Sequence, residues 1–307
     1  MLQTSLTTRL AVMNLLRPVA TLAALAAVTL ALTGCGTLRD SIPDGAHPDG
    51  AEVRTLTVDG VDRSYRLYVP DELSTDPALV VMMHGGVGSA RQAENAYGWN
   101  AEADAGGFVV AYPDGKSRVW NAGYCCGRSA ADDVGFIAAL VEDLQAEFDV
   151  SPARTFATGM SNGAMMSYTL ACTTELFAAI APVAGTIVTP CENPSPVSVL
   201  HIHGLDDGKV RMDGEPGDGP GDVDGMPIAD VNALWREADG CSEPVVVEQE
   251  PVTTSTSDCA DGCRVVLVTV ADAGHQWPGS VAREGAADQP VDTLDATALI
   301  WEFFDAA

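Results

Sequence analysis

From Val53 onward, short apolar runs alternate with longer segments whose apolar residues recur at helical spacing. VRTLTV (53–58) and RSYRLYV (63–69) alternate apolar with polar residues on either side of Asp59-Gly60, a pattern that predicts a β-hairpin. ALVVMM (78–83), GFVVAYP (107–113), TFATG (155–159), AAIAPVAG (178–185), VSVLHIHG (197–204) and RVVLVTV (264–270) are compact, mostly apolar and bounded by turn residues. Near-continuous apolar strands belong to sheets covered on both faces. Between several of them, residues 130–148, 163–175, 228–238 and 292–304 carry a helical period. The alternation predicts an α/β domain with a mainly parallel central sheet and helices on both faces. The hairpin would add antiparallel strands at one edge. Residues 206–227, DDGKVRMDGEPGDGPGDVDGMP, have no period and follow a strand directly. They predict a long loop at the carboxyl edge of the sheet, where open α/β folds bind ligands.

The N-terminus follows a different rule. Arg9 and Arg17 precede an uncharged run from Val19 to Leu32, which leads into Thr33-Gly34-Cys35. A basic start, an apolar stretch too short to span a bilayer comfortably and small residues at its end describe an export signal. Leu32 to Cys35 also matches a bacterial lipoprotein signal, in which a lipid is attached to the cysteine that becomes the new N-terminus. Met13 would open a more compact signal of the usual length. Residues 39–52 are polar, acidic and rich in Pro and Gly, a composition that buries no core and reads as a tether. The expected organisation is a signal peptide over 1–34, a tether over 35–52 and one folded domain over 53–307. The expected localisation is outside the cell, lipid-anchored to the outer face of the bacterial cell membrane or secreted.

Composition narrows the choice of partners. The 307 residues are 47% hydrophobic, enough for one large α/β domain, and carry 43 acids against 16 Lys and Arg, a net charge of −27. Removing residues 1–34 removes two arginines and no acid, so the exported form is more negative still. Such a surface repels nucleic acid and anionic head groups, leaving the lipid anchor as the expected membrane contact. Eight cysteines in an exported chain predict disulfides. The expected pairs are Cys172–Cys191 and Cys241–Cys259. Beyond Cys35 the number is odd, so a thiol stays free or Cys125 bonds to its neighbour Cys126. Zinc is the competing use, but the cysteines pair poorly with histidine and no metal is expected.

The candidate chemistry centres on Gly159-Met160-Ser161-Asn162-Gly163. Ser161 falls between a strand pattern and a helix pattern, where flanking glycines relieve a crowded turn and present the hydroxyl above the sheet. A serine hydroxyl is a weak nucleophile and needs a base that is itself oriented by an acid. Of the five histidines, His47 lies in the tether, His84 precedes the serine and His201 lies within a strand. His275 follows the last apolar strand and is the expected base, whereas His203 suits a structural or site-lining role. The acid should follow VSVLHIH, where Asp206 and Asp207 both qualify. The N–H of Asn162 and a second one from His84-Gly85-Gly86, with Gly86 the candidate, would receive an oxyanion. Trp120 and Trp277 lie in loops and are candidates for substrate contact or for buried support.

Several of these segments together point to one family. HGG at 84–86, WNAGYCCG at 120–127, DDVGF at 132–136, GMSNG at 159–163, HGLDD at 203–207 and GHQWPG at 274–279 occur in the order found in polyhydroxybutyrate depolymerase-like esterases. The chain resembles that group of exported α/β-hydrolases, related to feruloyl and acetyl-xylan esterases, over most of residues 53–305. The resemblance implies an α/β-hydrolase fold, Ser161 as nucleophile and His275 as base. It selects Asp207 as acid, the fifth residue of an H-G-x-x-D motif, and Asn162 and Gly86 as oxyanion donors. It implies a serine carboxylesterase with no cofactor, acting on polyester oligomers or plant-wall esters. The loop after Asp207 reads GKVRM in place of a V-P-Y-type continuation, and Cys263 has no counterpart. No substrate-binding domain is expected beyond the catalytic one, an expectation that favours soluble oligomers or plant-wall esters over a solid polymer. A serine peptidase or acyltransferase could use the same fold and triad, and a third reading is a non-catalytic surface-binding lipoprotein, against which the intact triad spacing argues.

Overall fold

The computed structural model describes residues 50–123, 125–126, 130–218, 223–282 and 288–307. The expected signal peptide, Cys35 and nearly all of the expected tether therefore lie outside the described residues, which fall within one compact unit. Ten strands form a single sheet: β1 (Glu52–Val58), β2 (Val61–Tyr68), β3 (Leu79–Met83), β4 (Val109–Pro113), β5 (Thr155–Met160), β6 (Ala179–Val183), β7 (Ser198–Gly204), β8 (Val245–Gln249), β9 (Val252–Asp258) and β10 (Arg264–Val270). Their order across the sheet is β1-β2-β4-β3-β5-β6-β7-β10-β9-β8. Strands β4, β3, β5, β6, β7 and β10 run parallel, and the hairpin β1–β2 joins antiparallel at one edge, as the sequence pattern predicts. The packed chain begins slightly earlier than expected, with Ala51 buried and β1 starting at Glu52.

Side-chain alternation divides the core into two layers. Leu79, Val81 and Met83 of β3, with Val109 and Ala111 of β4, face α3 (Asp133–Phe148), α4 (Asn162–Thr173) and α5 (Ile228–Ala238). Val80 and Met82, with Val110 and Tyr112, face α1 (Ala90–Ala96), α2 (Trp99–Gly106) and α6 (Ala296–Asp305). Each central strand is thus covered on both sides, and the runs that read as continuously apolar are buried at every residue, as is β7 with its serine and two histidines.

Two pairs of elements escaped the pattern. Helices α1 and α2 bury alanines, one tryptophan and a carboxylate, Glu94, so their apolar stripe is narrow. Glu94 pairs with Arg66 of β2 and accepts the N–H of Ala51. The hairpin β8–β9 extends the far edge through backbone pairing, with β8 exposed along its whole length and β9 made largely of Thr and Ser. Neither half-buried alternation nor a turn dipeptide marks it.

Both expected disulfides, Cys172–Cys191 and Cys241–Cys259, are present, Cys125 bonds to Cys126, and Cys263 is a free thiol. The bridges Cys172–Cys191 and Cys241–Cys259 join residues 19 and 18 apart, and closing loops of that length restricts the unfolded chain by about 3 kcal/mol each in the chain-entropy account. Beside Cys241 and Cys259 lies Asp239, the nearest approach to a metal-binding group among the described residues, but both sulfurs are committed to each other.

Asp239 has a different consequence. It is 2% exposed; one carboxyl oxygen accepts the N–H of Val197, while the other has no partner among the described residues. Burial pushes its carboxyl up to about 6, against the smaller opposing effect of the Val197 N–H. An acid that holds its proton more tightly when folded contributes full stability below its ordinary range and loses it as pH rises through the folded value. Asp239→Asn is therefore expected to stabilise the fold by about 1–2 kcal/mol at pH 8, discounted for partial solvation, and by roughly half as much at pH 5. Urea unfolding at the two pH values checks this; equal effects at both would rule the charge out as the cause.

Candidate active site

The carboxyl ends of the parallel strands converge on one edge. Between β5 and α4 the chain turns at Ser161, whose φ of 56° lies in the left-handed region. The turn closes so tightly that a Cβ on Gly163 would lie 2.2 Å from the carbonyl oxygen of Met83, and one on Gly159 would lie 2.5 Å from the Gly163 backbone. Glycine is thus the residue that fits at both flanks. The Ser161 N–H donates to Val183 O at 2.9 Å and Ser161 O accepts from Met165, so the backbone fixes the turn from which the side chain projects.

His275 arrives on the loop after β10 and Asp207 on the loop after β7. His275 Nε2 lies 2.8 Å from Ser161 Oγ, and its Nδ1 lies 2.8 Å from Asp207 Oδ2. Asp207 Oδ1 accepts the N–H groups of Lys209 at 2.9 Å and Val210 at 2.8 Å. Burial alone would raise the Asp207 carboxyl; the hydrogen bond from His275, the nearby imidazoles and the Val210 N–H outweigh it and hold the group below its ordinary value. Asp206, the other sequence candidate, is exposed. Lys209 Nζ pairs with Asp288 at 3.1 Å, joining the loop of the acid to the segment beyond the histidine.

The candidate oxyanion donors also meet here. Gly85 and Gly86 pack against Ser161 and Asn162, with ideal Cβ positions 3.6 and 3.7 Å from those residues' Cβ atoms. Val87 N–H and Gly88 N–H are engaged by Arg118 O and Gly85 O. The N–H groups of Gly86 and Asn162 have no hydrogen-bond partner among the described residues. Asn162 opens α4, so its N–H is one of those a helix cannot satisfy internally.

A network of buried side chains holds this loop, His84 among them although the sequence offered it no catalytic place. Asn162 accepts the Trp120 N–H at 2.7 Å and donates to Trp120 O at 3.2 Å. The Trp120 indole donates to His84 O. His84 Nε2 accepts from Gly115 N–H, so its proton sits on Nδ1, which donates to Gly85 O. Burial lowers the His84 pKa, in keeping with this neutral form. Asp133, from the DDVGF segment, is buried between Arg63 at 2.6 Å and the Asn121 N–H at 2.7 Å and anchors the same loop. The visible signal for these roles was the clustering of such residues in short motifs, without any indication of what each one touches.

Of the two roles left open for Trp120, the structure favours buried support over substrate contact: the residue is 0% exposed and its ring packs against His84 at 5.0 Å. Trp277 is 1% exposed, donates to Thr297 Oγ1 and stacks on Tyr97 at 4.6 Å. It borders a cavity of about 650 Å³ beside His275, lined also by Gln92, Tyr97, Met160 and Val281.

Residues 63–208 match the family described as Esterase PHB depolymerase. NocK of Nocardia uniformis subsp. tsuyamanensis, which bears an esterase's name, is 33% identical over 79% of this chain and 80% of its own. The chain belongs to the esterase PHB depolymerase family. As a member it is a hydrolytic serine esterase. It is also 29% identical to feruloyl esterase C of Emericella nidulans, over 86% of this chain and 93% of that one. Among solved structures, acetyl xylan esterase from Aspergillus awamori superposes with a TM-score of 0.59 over 83% of this chain and all of its own, at 17% identity. The thermophilic esterase Est2 from Thermogutta terrifontis does so with a TM-score of 0.53 over 83% of this chain and 91% of its own, at 18% identity. Both likenesses bear on the fold, which is that of an α/β-hydrolase. The disulfides of this esterase suit an oxidising, extracellular compartment.

Proposed function

We propose that this esterase hydrolyses carboxylic esters through an acyl-enzyme formed on Ser161. The reading rests on one observation, the unbroken line from Ser161 Oγ through His275 to Asp207, each contact 2.8 Å. Ser161 Oγ attacks the ester carbonyl as His275 Nε2 takes its proton. The carbonyl oxygen becomes an oxyanion, received by the N–H groups of Gly86 and Asn162. Collapse breaks the C–O bond, and His275 returns the proton to the departing alcohol. Water then attacks the acyl carbon, giving its proton to His275, and the carboxylic acid leaves as Ser161 recovers the proton. Asp207 holds the His275 Nδ1 proton throughout and stays ionised.

The substrates we assign are small acyl esters of polyhydroxybutyrate-oligomer, feruloyl or acetyl-xylan type, on the strength of the names its relatives carry and of the cavity of about 650 Å³ that opens beside His275. We further assign residues 1–34 to a lipoprotein signal and Cys35 to lipidation, with the tether running to the first strand.

The test is the initial rate of p-nitrophenyl acetate and butyrate hydrolysis by the full chain, with and without a serine-directed phosphonate. The expected result is rapid hydrolysis, abolished by the phosphonate, with the added mass on the peptide containing Ser161. Rates at buffer background and no labelling would overturn the proposal.

A further inference from the structure

Behind the acid lies a row of buried polar groups that the reaction above leaves idle. Side chains alternate along β7, so His201 and His203 point to the same layer as Val199, the one covered by α4 and α5. Tyr168, on α4 beyond Ser161, meets His201 Nδ1 at 2.6 Å. His201 Nε2 meets His203 Nδ1 at 2.9 Å, and His203 Nε2 meets Val210 O at 2.8 Å. The three side chains belong to residues 2% exposed or less.

The last contact fixes all the protons. A carbonyl oxygen only accepts, so His203 Nε2 carries a hydrogen. Burial keeps both imidazoles neutral, His201 most strongly. Neutral His203 therefore presents a lone pair at Nδ1, which accepts from His201 Nε2–H. His201 in turn accepts at Nδ1 from the Tyr168 hydroxyl. Every donor in the row points the same way, toward Val210.

Val210 is where the row reaches the site. Its N–H donates to Asp207 Oδ1 and its carbonyl accepts from His203, so the residue is held from both ends. His203 Nε2 also lies 3.6 Å from Asp207 Oδ2, the oxygen that holds His275. The chain starts on the helix that begins at Ser161 and ends on the loop of the acid.

We propose that Tyr168, His201 and His203 form a one-directional hydrogen-bond relay that positions Asp207 against His275, with His203 the positioning residue. The relay rests on the triad reading above. It explains two histidines in a strand interior, where apolar residues would pack without any demand for partners.

The test compares His203→Phe, which keeps a flat ring without the donor, with His203→Gln, whose side-chain N–H can still reach Val210 O. Both are made in the full chain and assayed with p-nitrophenyl butyrate. For His203→Phe, kcat is expected to fall about 10- to 100-fold with KM nearly unchanged, the scale of a small misplacement in a reacting group. His203→Gln should recover most of the loss. Unchanged kcat in His203→Phe, a loss confined to KM, or equal losses in both variants would overturn the relay. Should His203→Phe not fold, Tyr168→Phe removes the first donor with a single oxygen, and an unchanged kcat there would also overturn it. A readout free of ester turnover is the low-field proton of His275 Nδ1 in the proton spectrum, expected to shift upfield in His203→Phe. A wild type that hydrolyses no ester would sink the triad reading, and this resonance would then decide the relay alone: a shift sustains it, an unmoved signal overturns it.

Discussion

Replacing Ser161 by alanine is expected to lower kcat toward p-nitrophenyl butyrate by about 10⁶ and to leave the melting temperature unchanged. The two halves of this expectation come from different atoms. The turn is held by the Ser161 backbone, through its N–H to Val183 and its carbonyl to Met165, and alanine retains both bonds and the same Cβ at positive φ. What disappears is Oγ, the atom 2.8 Å from His275 Nε2. Residual activity should remain above the uncatalysed rate, because the N–H groups of Gly86 and Asn162 would still bind an oxyanion formed by attacking water. His275→Ala should cost a comparable factor, and the double variant little more, since the two side chains act as a unit. A loss of only about tenfold in Ser161→Ala would remove the serine from the reaction, because removing a working nucleophile disables the chemical step itself.

How far the sequence reached can be seen residue by residue. Strands whose runs are apolar throughout, such as β3 and β6, were legible because burial on both faces leaves no polar position to interrupt them. The hairpin β8–β9 was not, since its exposed valines and threonines satisfy one another through the backbone and bury little. In the site, Ser161 and His275 were marked by their element ends. Asp206 and Asp207 were indistinguishable by that criterion, and what separates them is three-dimensional: only Asp207 turns inward, where Lys209, Val210 and His275 all donate to it. Trp120 was left open because a loop tryptophan can face either way; its depth follows from the Asn162 clamp, which depends on a contact 42 residues away in sequence. His84, His201 and His203 carried a signal in being histidines beside site motifs. Their direction of donation needed coordinates.

Asp207→Asn is expected to lower kcat by about 10⁴, while Asp206→Asn leaves it nearly unchanged. The reason is a forced tautomer. The N–H groups of Lys209 and Val210 both point at Oδ1, and an amide NH₂ cannot face two donors, so the asparagine oxygen must take that place. Its NH₂ is then turned toward His275 Nδ1, where the carboxylate oxygen had been. An NH₂ group only donates, so Nδ1 must offer a lone pair and the imidazole proton moves to Nε2. That nitrogen faces Ser161 Oγ and can no longer accept its proton. Because the two backbone hydrogen bonds survive, the fold should be little disturbed, and the variant separates tautomer control from structural damage. The measurement is kcat alongside the rate of phosphonate labelling, both of which need the activated serine and should fall together. Full labelling with slow turnover would mean that Ser161 is activated without Asp207. A large loss in Asp206→Asn would move the acid to the exposed residue, although no imidazole is bonded there.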